Sequence, residues 1–400
     1  MTLRELPKIR FTFWKAVFLV IMVAGIYCTY VRFFHGLGAS TNLTDQFPWG
    51  LWIGFDVMCG VMLAAGGFTL TAAVEIFNIK SWHSIMRPTV LTAFMGYLLV
   101  CAALMYDLGL PWNIWHPLIM RNPHSVMFEV AYCVMFYTTV LALEFSPIVF
   151  ERLGWKKALT VVRRLMLVFV ILGVILSTLH QSSLGTLYLI MPNKLHPFWY
   201  SPLLPVFFYL SAIAVGLAMM IFESSMSAKY FGRQLELHIL RDMGAVLVVV
   251  LAIYGLIRFE DLIARGVWHQ IFIPSYEQRF FLLEIFLSVI IPLILLLIPK
   301  VRNSAQGLYL AAVLILLGFV TNRLNVAITG VENAVGGRYA PKWTEVVITA
   351  MFVALGFAIF GLATRYLPIF PEEESHAPVA QVPESIPIEI TEPEPVHAGD

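Results

Sequence analysis

The chain has 400 residues, of which 59% are hydrophobic and only 13% charged, with a net charge of +1 and a mean hydropathy of +0.80. Charge at roughly half the usual share excludes a soluble globular domain and a nucleic-acid binder, and predicts an all-α integral membrane protein. The four cysteines, Cys28, Cys59, Cys101 and Cys133, lie in apolar stretches with no CxxC pair, which excludes an iron–sulfur cluster held in any usual ligand pattern.

The N-terminus, MTLRELPKIRFTFWK, is basic and runs into a long apolar stretch with no small-residue cleavage site, so it reads as a first transmembrane helix and not a leader. A helix needs about 20 apolar residues to span the hydrocarbon core. Ten stretches qualify, near 14–34, 52–77, 88–109, 124–149, 162–190, 202–226, 238–264, 278–299, 305–327 and 344–365. With the N-terminus in the cytoplasm, 17 of the 26 Lys and Arg fall on the inner side and 9 on the outer. The positive-inside rule therefore places both termini in the cytoplasm. Outer connections such as PWNIWHPLIMRNPH and NKLHPFWYSP carry the Trp, Pro and His of interfacial anchors. Residues 371–400 hold eight acidic residues and many prolines and read as a disordered extension.

The second span opens with FPWGLWIGFDVMCGVMLAAGGF, residues 47–68, and places Asp56 inside apolar sequence. A charge at a span's centre costs about 2.5–3.5 kcal/mol on translocon scales, so an intramembrane acid marks function by default. Gly60, Ala64 and Gly67 share the Asp56 face and form a small-residue stripe suited to close helix approach. Asp56 therefore faces protein and not lipid.

Two parts of the chain look like copies. ILGVILSTLHQSSLG (171–185) aligns without gaps to LLGFVTNRLNVAITG (316–330), matching Leu172 to Leu317, Gly173 to Gly318, Leu179 to Leu324 and Gly185 to Gly330. Arg87 with Asp107 is echoed at equal spacing by Arg241 with Asp261, and Glu129 by Glu284. These echoes run in order along the chain and predict two four-helix bundles of one topology, spans 2–5 and 6–9, with spans 1 and 10 peripheral. The domains are then an N-terminal segment with the first span (1–51), a first bundle (52–190), a second bundle (191–327), the tenth span (328–367) and the tail (368–400). His180 becomes Asn325 in the second copy, and the position of Asp56 falls near Leu210, so titratable chemistry is expected in the first bundle.

At 1.5 Å per residue, Asp56, Asp107, Glu129 and His180 are expected to share one outer layer. Each has a plain structural reading too: interfacial water for Asp107, a bonded structural acid for Glu129, a satisfied core histidine for His180. A deeper group comprises Glu75, Arg87 and Glu144, with Tyr97 near mid-span. Glu129 and Glu144, 15 residues apart, face within about 60° of each other. A proton path from Glu144 and Glu75 past Tyr97 is geometrically possible, and so is a structural ion pair of Arg87 with an inner glutamate.

A membrane b-type haem takes axial histidines from spans at matching depth, and His180 alone of the ten histidines lies well inside a span, so haem is disfavoured. No metal site is expected. A quinone fits better, because its carbonyls need hydrogen-bond donors and its reduction takes up protons that a histidine and carboxylates can relay. The chain carries no electron carrier of its own, so electrons must arrive from a partner docked at the outer face.

The ten-span plan, PWGLWIGFD at the second span, the acidic fourth span and STLHQSSLG together resemble the NrfD/polysulfide-reductase membrane-subunit family, with the closest likeness to HybB-type membrane subunits of nickel–iron hydrogenases. The resemblance covers about residues 10–368. It implies a subunit of a hydrogen:quinone oxidoreductase in the bacterial inner membrane, with the catalytic metals in partner subunits. A periplasmic ferredoxin-like iron–sulfur subunit would pass electrons from the hydrogenase large and small subunits to menaquinone or ubiquinone in the first bundle. By motif position Asp56 and His180 look like quinone-site residues, with Asp107 beside them, and Glu129, Tyr97 and Arg87 look like parts of the proton route, continued by Glu75 and Glu144. The alternatives are an NrfD-type quinone subunit serving a molybdenum enzyme or multihaem cytochrome, and an ion-coupled transporter; a passive anchor has no need of Asp56, Glu129 and His180.

Overall fold

A computed structural model describes residues 12–191, 193–232 and 234–370 of the chain. The acidic tail expected over 371–400 lies outside the described residues. The fold among those residues is all-helical, without a strand. Among the described residues nine helices are long and apolar enough to cross a membrane: α1 (Phe13–His35), α2 (Trp52–Ile76), α3 (Lys80–Asp107), α4 (Val126–Leu153), α5 (Lys156–Leu189), α6 (Leu204–Phe231), α8 (Tyr276–Leu297), α9 (Ala305–Val335) and α10 (Trp343–Tyr366). The remaining expected span is also a long helix, α7 (Leu237–Ala264), which bears Arg241, Asp242, Arg258, Glu260 and Asp261.

Local sequence sets several helix ends. Ser125, Ser275 and Ser304 adopt extended backbone and accept from the amide three residues on, at 3.4, 3.0 and 3.0 Å, which satisfies amides left open in a first turn. Gly154 ends α4 at φ 71°, a left-handed conformation that a side chain would strain.

α2 and α6 form the middle of the molecule. They approach so closely at Gly66 and Gly216 that a methyl group on Gly216 would lie 3.0 Å from the Ala65 carbonyl oxygen. The small-residue stripe of α2 takes α3 as its neighbour: a methyl on Gly60 would meet Val100 at 2.6 Å, and one on Gly67 would meet Ala93 at 2.5 Å. α3, α4 and α5 follow in sequence around α2, α7, α8 and α9 gather around α6, and α1 pairs with α10 against α3.

Helix geometry is irregular where the polar residues lie. α2 begins with π-helical turns over Trp52–Cys59, breaks at Ala64 and Ala65, and ends with another π-turn over Ala72–Ile76. α8 contains one at Phe286–Ile290. Segment 171–185 is continuous helix, but its proposed counterpart passes into a π-turn at Asn325–Thr329. Such turns recur at functional sites because the inserted residue re-aims side chains. Here Asn325 turns its amide to the Phe280 carbonyl (3.1 Å) and Glu284 (2.8 Å) of α8.

The two ends of the bundle are tied differently. At one end, Leu51 donates to the Tyr339 hydroxyl (3.1 Å), Asn42 to the Ala340 carbonyl (2.9 Å) and His196 to the Gly330 carbonyl (2.7 Å). At the other, Arg87 pairs with Glu151 (3.1 Å) and donates to the Pro368 carbonyl (2.8 Å), and Ser84 bonds Glu236.

Candidate functional site

Asp56 lies at the end joined by Leu51 and Tyr339, in the first π-turns of α2, and is 7% exposed. Its Oδ2 accepts from Thr349 Oγ1 of α10 at 2.8 Å. Trp52, one turn earlier, donates its indole N–H to the Glu345 carbonyl of α10 at 3.3 Å. Asp107, at the last turn of α3, lies in electrostatic reach of Asp56, and its Oδ1 is buried without a partner. Arg32 of α1, buried beside it, donates to the Tyr106 and Leu108 carbonyls at 2.5 Å each.

His180 is 0% exposed, and neither ring nitrogen has a hydrogen-bond partner. Its ring meets Tyr97 edge-on with centroids 5.7 Å apart, and Tyr97 meets Tyr137 at 4.6 Å. The Tyr97 hydroxyl faces Ser177 and Gln181, and the Tyr137 hydroxyl faces Ser177 and the Phe68 backbone, each outside hydrogen-bonding geometry. Gln181 donates to the Val61 carbonyl of α2 at 3.1 Å and leaves its own oxygen unpaired. Buried polar atoms almost always have partners. Unpartnered buried atoms of this kind mark His180 and the hydroxyls beside it as a candidate site.

The single outer layer expected for Asp56, Asp107, Glu129 and His180 is not what forms. His180 sits with Tyr97, ten residues before Asp107 on α3 and hence about 15 Å from it along the axis. Counting depth along straight, upright helices misplaced it, because α5 runs for 34 residues and α2 is broken and π-turned. Asp56 and Asp107 turn toward α10 and α1, while His180 turns toward α3. Glu129 is exposed, and its Oε1 accepts from Ser183 at 2.6 Å, so it belongs to the α4–α5 surface and not to a buried cluster.

In the deeper group, Glu144 is buried on α4 against Gly173 and lies in electrostatic reach of Tyr137, with exposed Glu75 beyond it. Glu144, Tyr137, Ser177, Tyr97 and His180 therefore follow one another through the α2–α5 group. Arg87 stands apart in an ion pair with Glu151, which also takes Arg163. Arg87 thus has the structural pairing with an inner glutamate that was one of its two readings, and the glutamate is Glu151, not Glu75 or Glu144.

Tyr137, Ser177, Gln181, Tyr188 and Glu223 escaped the sequence reading. The Tyr188 hydroxyl is buried and unpaired, and Glu223 on α6 faces Thr92 on α3 with Glu223 Oε1 and Thr92 Oγ1 both unbonded. Glu223 carried a usable signal, an acid inside an apolar helix. The others did not, since a Tyr or Ser in a membrane helix is common and only its lack of a partner is informative.

Around α6–α9 most buried polar groups are engaged, although Glu223 Oε1, Arg258 Nε, Arg323 Nε and Glu332 Oε2 lack partners. Glu284 accepts from Trp199 Nε1 (2.8 Å), Asn322 Nδ2 (2.7 Å) and Asn325 Nδ2 (2.8 Å). Arg323 donates to Ser211 Oγ (2.7 Å) and the Phe208 carbonyl (3.1 Å), with its guanidinium 3.6 Å from the Phe208 ring centre. Arg258 donates to the Phe198 carbonyl (2.9 Å) and lies over Phe207. Among the described residues no group of three or more His, Cys, Asp or Glu is arranged to hold a metal ion.

Long apolar helices enclosing a buried, unsatisfied polar run define a multi-pass integral membrane protein with a polar site inside its helices. Residues 39–335 match the family described as Polysulphide reductase, NrfD, and the chain belongs to that family. It is 39% identical over 367 residues to a protein of Nitratidesulfovibrio vulgaris, covering 89% of this chain and 94% of that one. It is 37% identical over 345 residues to the Probable Ni/Fe-hydrogenase 2 b-type cytochrome subunit of Escherichia coli, covering 85% and 88%. It is 29% identical over 394 residues to the Menaquinone reductase, integral membrane subunit, of N. vulgaris, covering 91% and 93%. The chain is thus a membrane component related to subunits of redox complexes.

Proposed function

We propose that the chain is the quinone-reactive membrane subunit of a nickel–iron hydrogenase complex in a bacterial inner membrane. In this reading both termini are cytoplasmic, and the Asp56 end faces the periplasm. An iron–sulfur subunit docked there delivers electrons from the hydrogenase large and small subunits. The observation that carries the reading is the run of unpaired buried polar atoms from Tyr137 through Ser177 and Tyr97 to His180. The likeness to a hydrogenase subunit favours the hydrogenase over other donors, and the likeness to a menaquinone reductase subunit favours a quinone acceptor.

The residues fit a quinone. Its ring has two carbonyl acceptors, and a neutral histidine offers one N–H donor and one lone pair. A bound quinone supplies the two-electron acceptor, which takes up two protons on reduction. His180 holds one carbonyl by hydrogen bonding and passes on a proton. Asp56, with Oδ2 held by Thr349 and with Asp107 beside it, would exchange a proton at the end of the bundle where electrons arrive, apart from the His180 position. Tyr97, Ser177 and Tyr137 carry protons from Glu144, with Glu75 at the mouth, and Glu129 with Ser183 serves the α4–α5 side. Arg87, paired with Glu151, would act on this route only through the charge it fixes at that end of the bundle. A haem held between two histidines does not fit, because His180 is the one buried histidine among the described residues.

We read the α2–α5 and α6–α9 groups as a duplication in which the second copy has become scaffold. The test is purification of the tagged chain from native membranes with identification of its partners by mass spectrometry, followed by hydrogen-driven quinone reduction in proteoliposomes. A nickel–iron hydrogenase with a ferredoxin-like subunit and active reduction are the expected result. A molybdenum enzyme or multihaem cytochrome in their place overturns the hydrogenase assignment, and flux of an ion or solute by the chain alone overturns the redox reading.

A further inference from the structure

The sequence makes α1 and α10 peripheral, and both lie outside the 39–335 stretch shared with the family, apart from the residues linking them to it. They nevertheless supply a side chain that bonds Asp56 and a cation that sits beside Asp107. Thr349 of α10 donates to Asp56 Oδ2 at 2.8 Å. Arg32 of α1 is 3% exposed, sits beside Asp107 and is bonded to the last carbonyls of α3. The same two helices are locked to each other and to the loop before α2. Lys342 donates to the Ala39 carbonyl (2.5 Å), Glu345 accepts from the Asn42 amide (2.8 Å), and Thr344 bonds the Ser40 carbonyl. A buried guanidinium, and a threonine aimed at a buried acid, are costly in a helix whose only task is to face lipid.

We infer that Thr349 is a positioning residue for Asp56, and that α1 and α10 together form a clamp, Arg32 with Thr349, that fixes the Asp56–Asp107 pair. This inference rests on the placement of Asp56 and Asp107 in the quinone site. Threonine's hydroxyl donates to one carboxylate oxygen, which leaves the other oxygen in one orientation. Among the described residues Thr349 is the side-chain donor seated on the Asp56 carboxylate, at the π-turned start of α2. The charged and titratable groups around the pair are Arg32, Glu345, Tyr188, Tyr339, Cys59 on the Asp56 helix, and Arg323 of α9 beyond Cys59. Arg32 is the cation next to the pair, and Arg323 is already engaged by Ser211 and Phe208. The hydrogen bond that orients Asp56 is thus supplied by α10.

The test uses the full chain in nanodiscs and its assembled complex. Infrared difference spectra locate the Asp56 carboxyl band by its loss in Asp56→Asn. Thr349→Val, similar in shape and without the hydroxyl, is expected to move that band, and Thr349→Ser to restore it. In the complex, Thr349→Val is expected to raise KM for a soluble quinone several-fold with a much smaller change in kcat, and Thr349→Ser to return KM toward the parent value. An Asp56 band unmoved by Thr349→Val overturns the inference whatever the activity does. A band that moves and is restored, in a protein whose Asp56→Asn variant reduces quinone normally, upholds the positioning by Thr349 and overturns the quinone-site reading instead.

Discussion

The His180 imidazole meets the Tyr97 ring edge-on at 5.7 Å between centroids, and neither His180 nitrogen nor the Tyr97 hydroxyl has a hydrogen-bond partner. Removing a group that hydrogen-bonds and transfers a proton typically costs about 10²–10⁴-fold in rate. His180→Ala is expected to lower hydrogen-driven quinone reduction by roughly 10²-fold or more while the complex still assembles. Tyr97→Phe should lower it less, because the ring contact survives. Normal turnover in His180→Ala, measured on complex shown intact by gel filtration, removes His180 from the site.

Asp56 and Glu129 separate two roles. Asp56→Asn is expected to abolish quinone reduction, since the amide can neither ionise nor exchange a proton. Glu129 is exposed and bonded to Ser183, so Glu129→Gln should slow turnover and weaken the membrane potential without blocking quinone binding. Both are read from proteoliposomes by quinol formation and a potential-sensitive dye. An unchanged rate and an unchanged potential in Glu129→Gln take that residue out of the proton route.

Glu284 collects three donors in the α6–α9 group: Trp199, Asn322 and Asn325. Glu284→Ala leaves Trp199 and Asn322 without that acceptor and Asn325 with only the Phe280 carbonyl, at about 1 kcal/mol for each lost bond. The expected loss is about 3 kcal/mol of stability, read as a lowered melting temperature in detergent. Glu284→Gln, which keeps one acceptor oxygen, should lose less. Equal melting of parent and Glu284→Ala would show that this network does not hold the helices together.

A methyl group at Gly318 would lie 2.2 Å from the Ser288 backbone nitrogen, so Gly318→Ala must push α8 away from α9. Overpacking of this kind costs about 1–3 kcal/mol, and here the obstacle is backbone that cannot rotate aside. Gly361→Ala on α10 meets nothing within 4 Å and serves as the control, with melting expected within about 0.5 kcal/mol of the parent.

His196, in the loop between α5 and α6, has its pKa lowered from 6.5 by burial, with Glu277 pulling the other way, and its Nδ1 accepts from the Phe198 amide. The unfolded chain then binds the proton more readily than the folded one. Stability from this group is present above the ordinary value and is lost as pH falls below 6.5 toward the lowered folded value. His196→Gln should flatten that acid-side slope in melting temperature; an identical slope would assign it to other groups.

Much of this protein was legible in one dimension. Apolar runs longer than a bilayer is thick leave a chain no alternative to spanning helices, because unpaired backbone is too costly in hydrocarbon. The Gly60, Ala64 and Gly67 stripe announced the close approach that α3 makes. The likeness to NrfD proteins was carried by the residues around Asp56 and His180, which lie within the matched segment.

Tertiary structure decided which polar residues stand together, because residue counts along a helix give neither tilt nor rotation. It moved His180 from a shared layer with Asp107 to the side of Tyr97, and left Glu129 on the surface. It gave Arg87 to Glu151 and showed the groups around Glu284 to be mutually satisfied. Sequence determines which groups must be kept from lipid; whether each then finds a partner depends on atoms hundreds of residues away, as Thr349 does for Asp56.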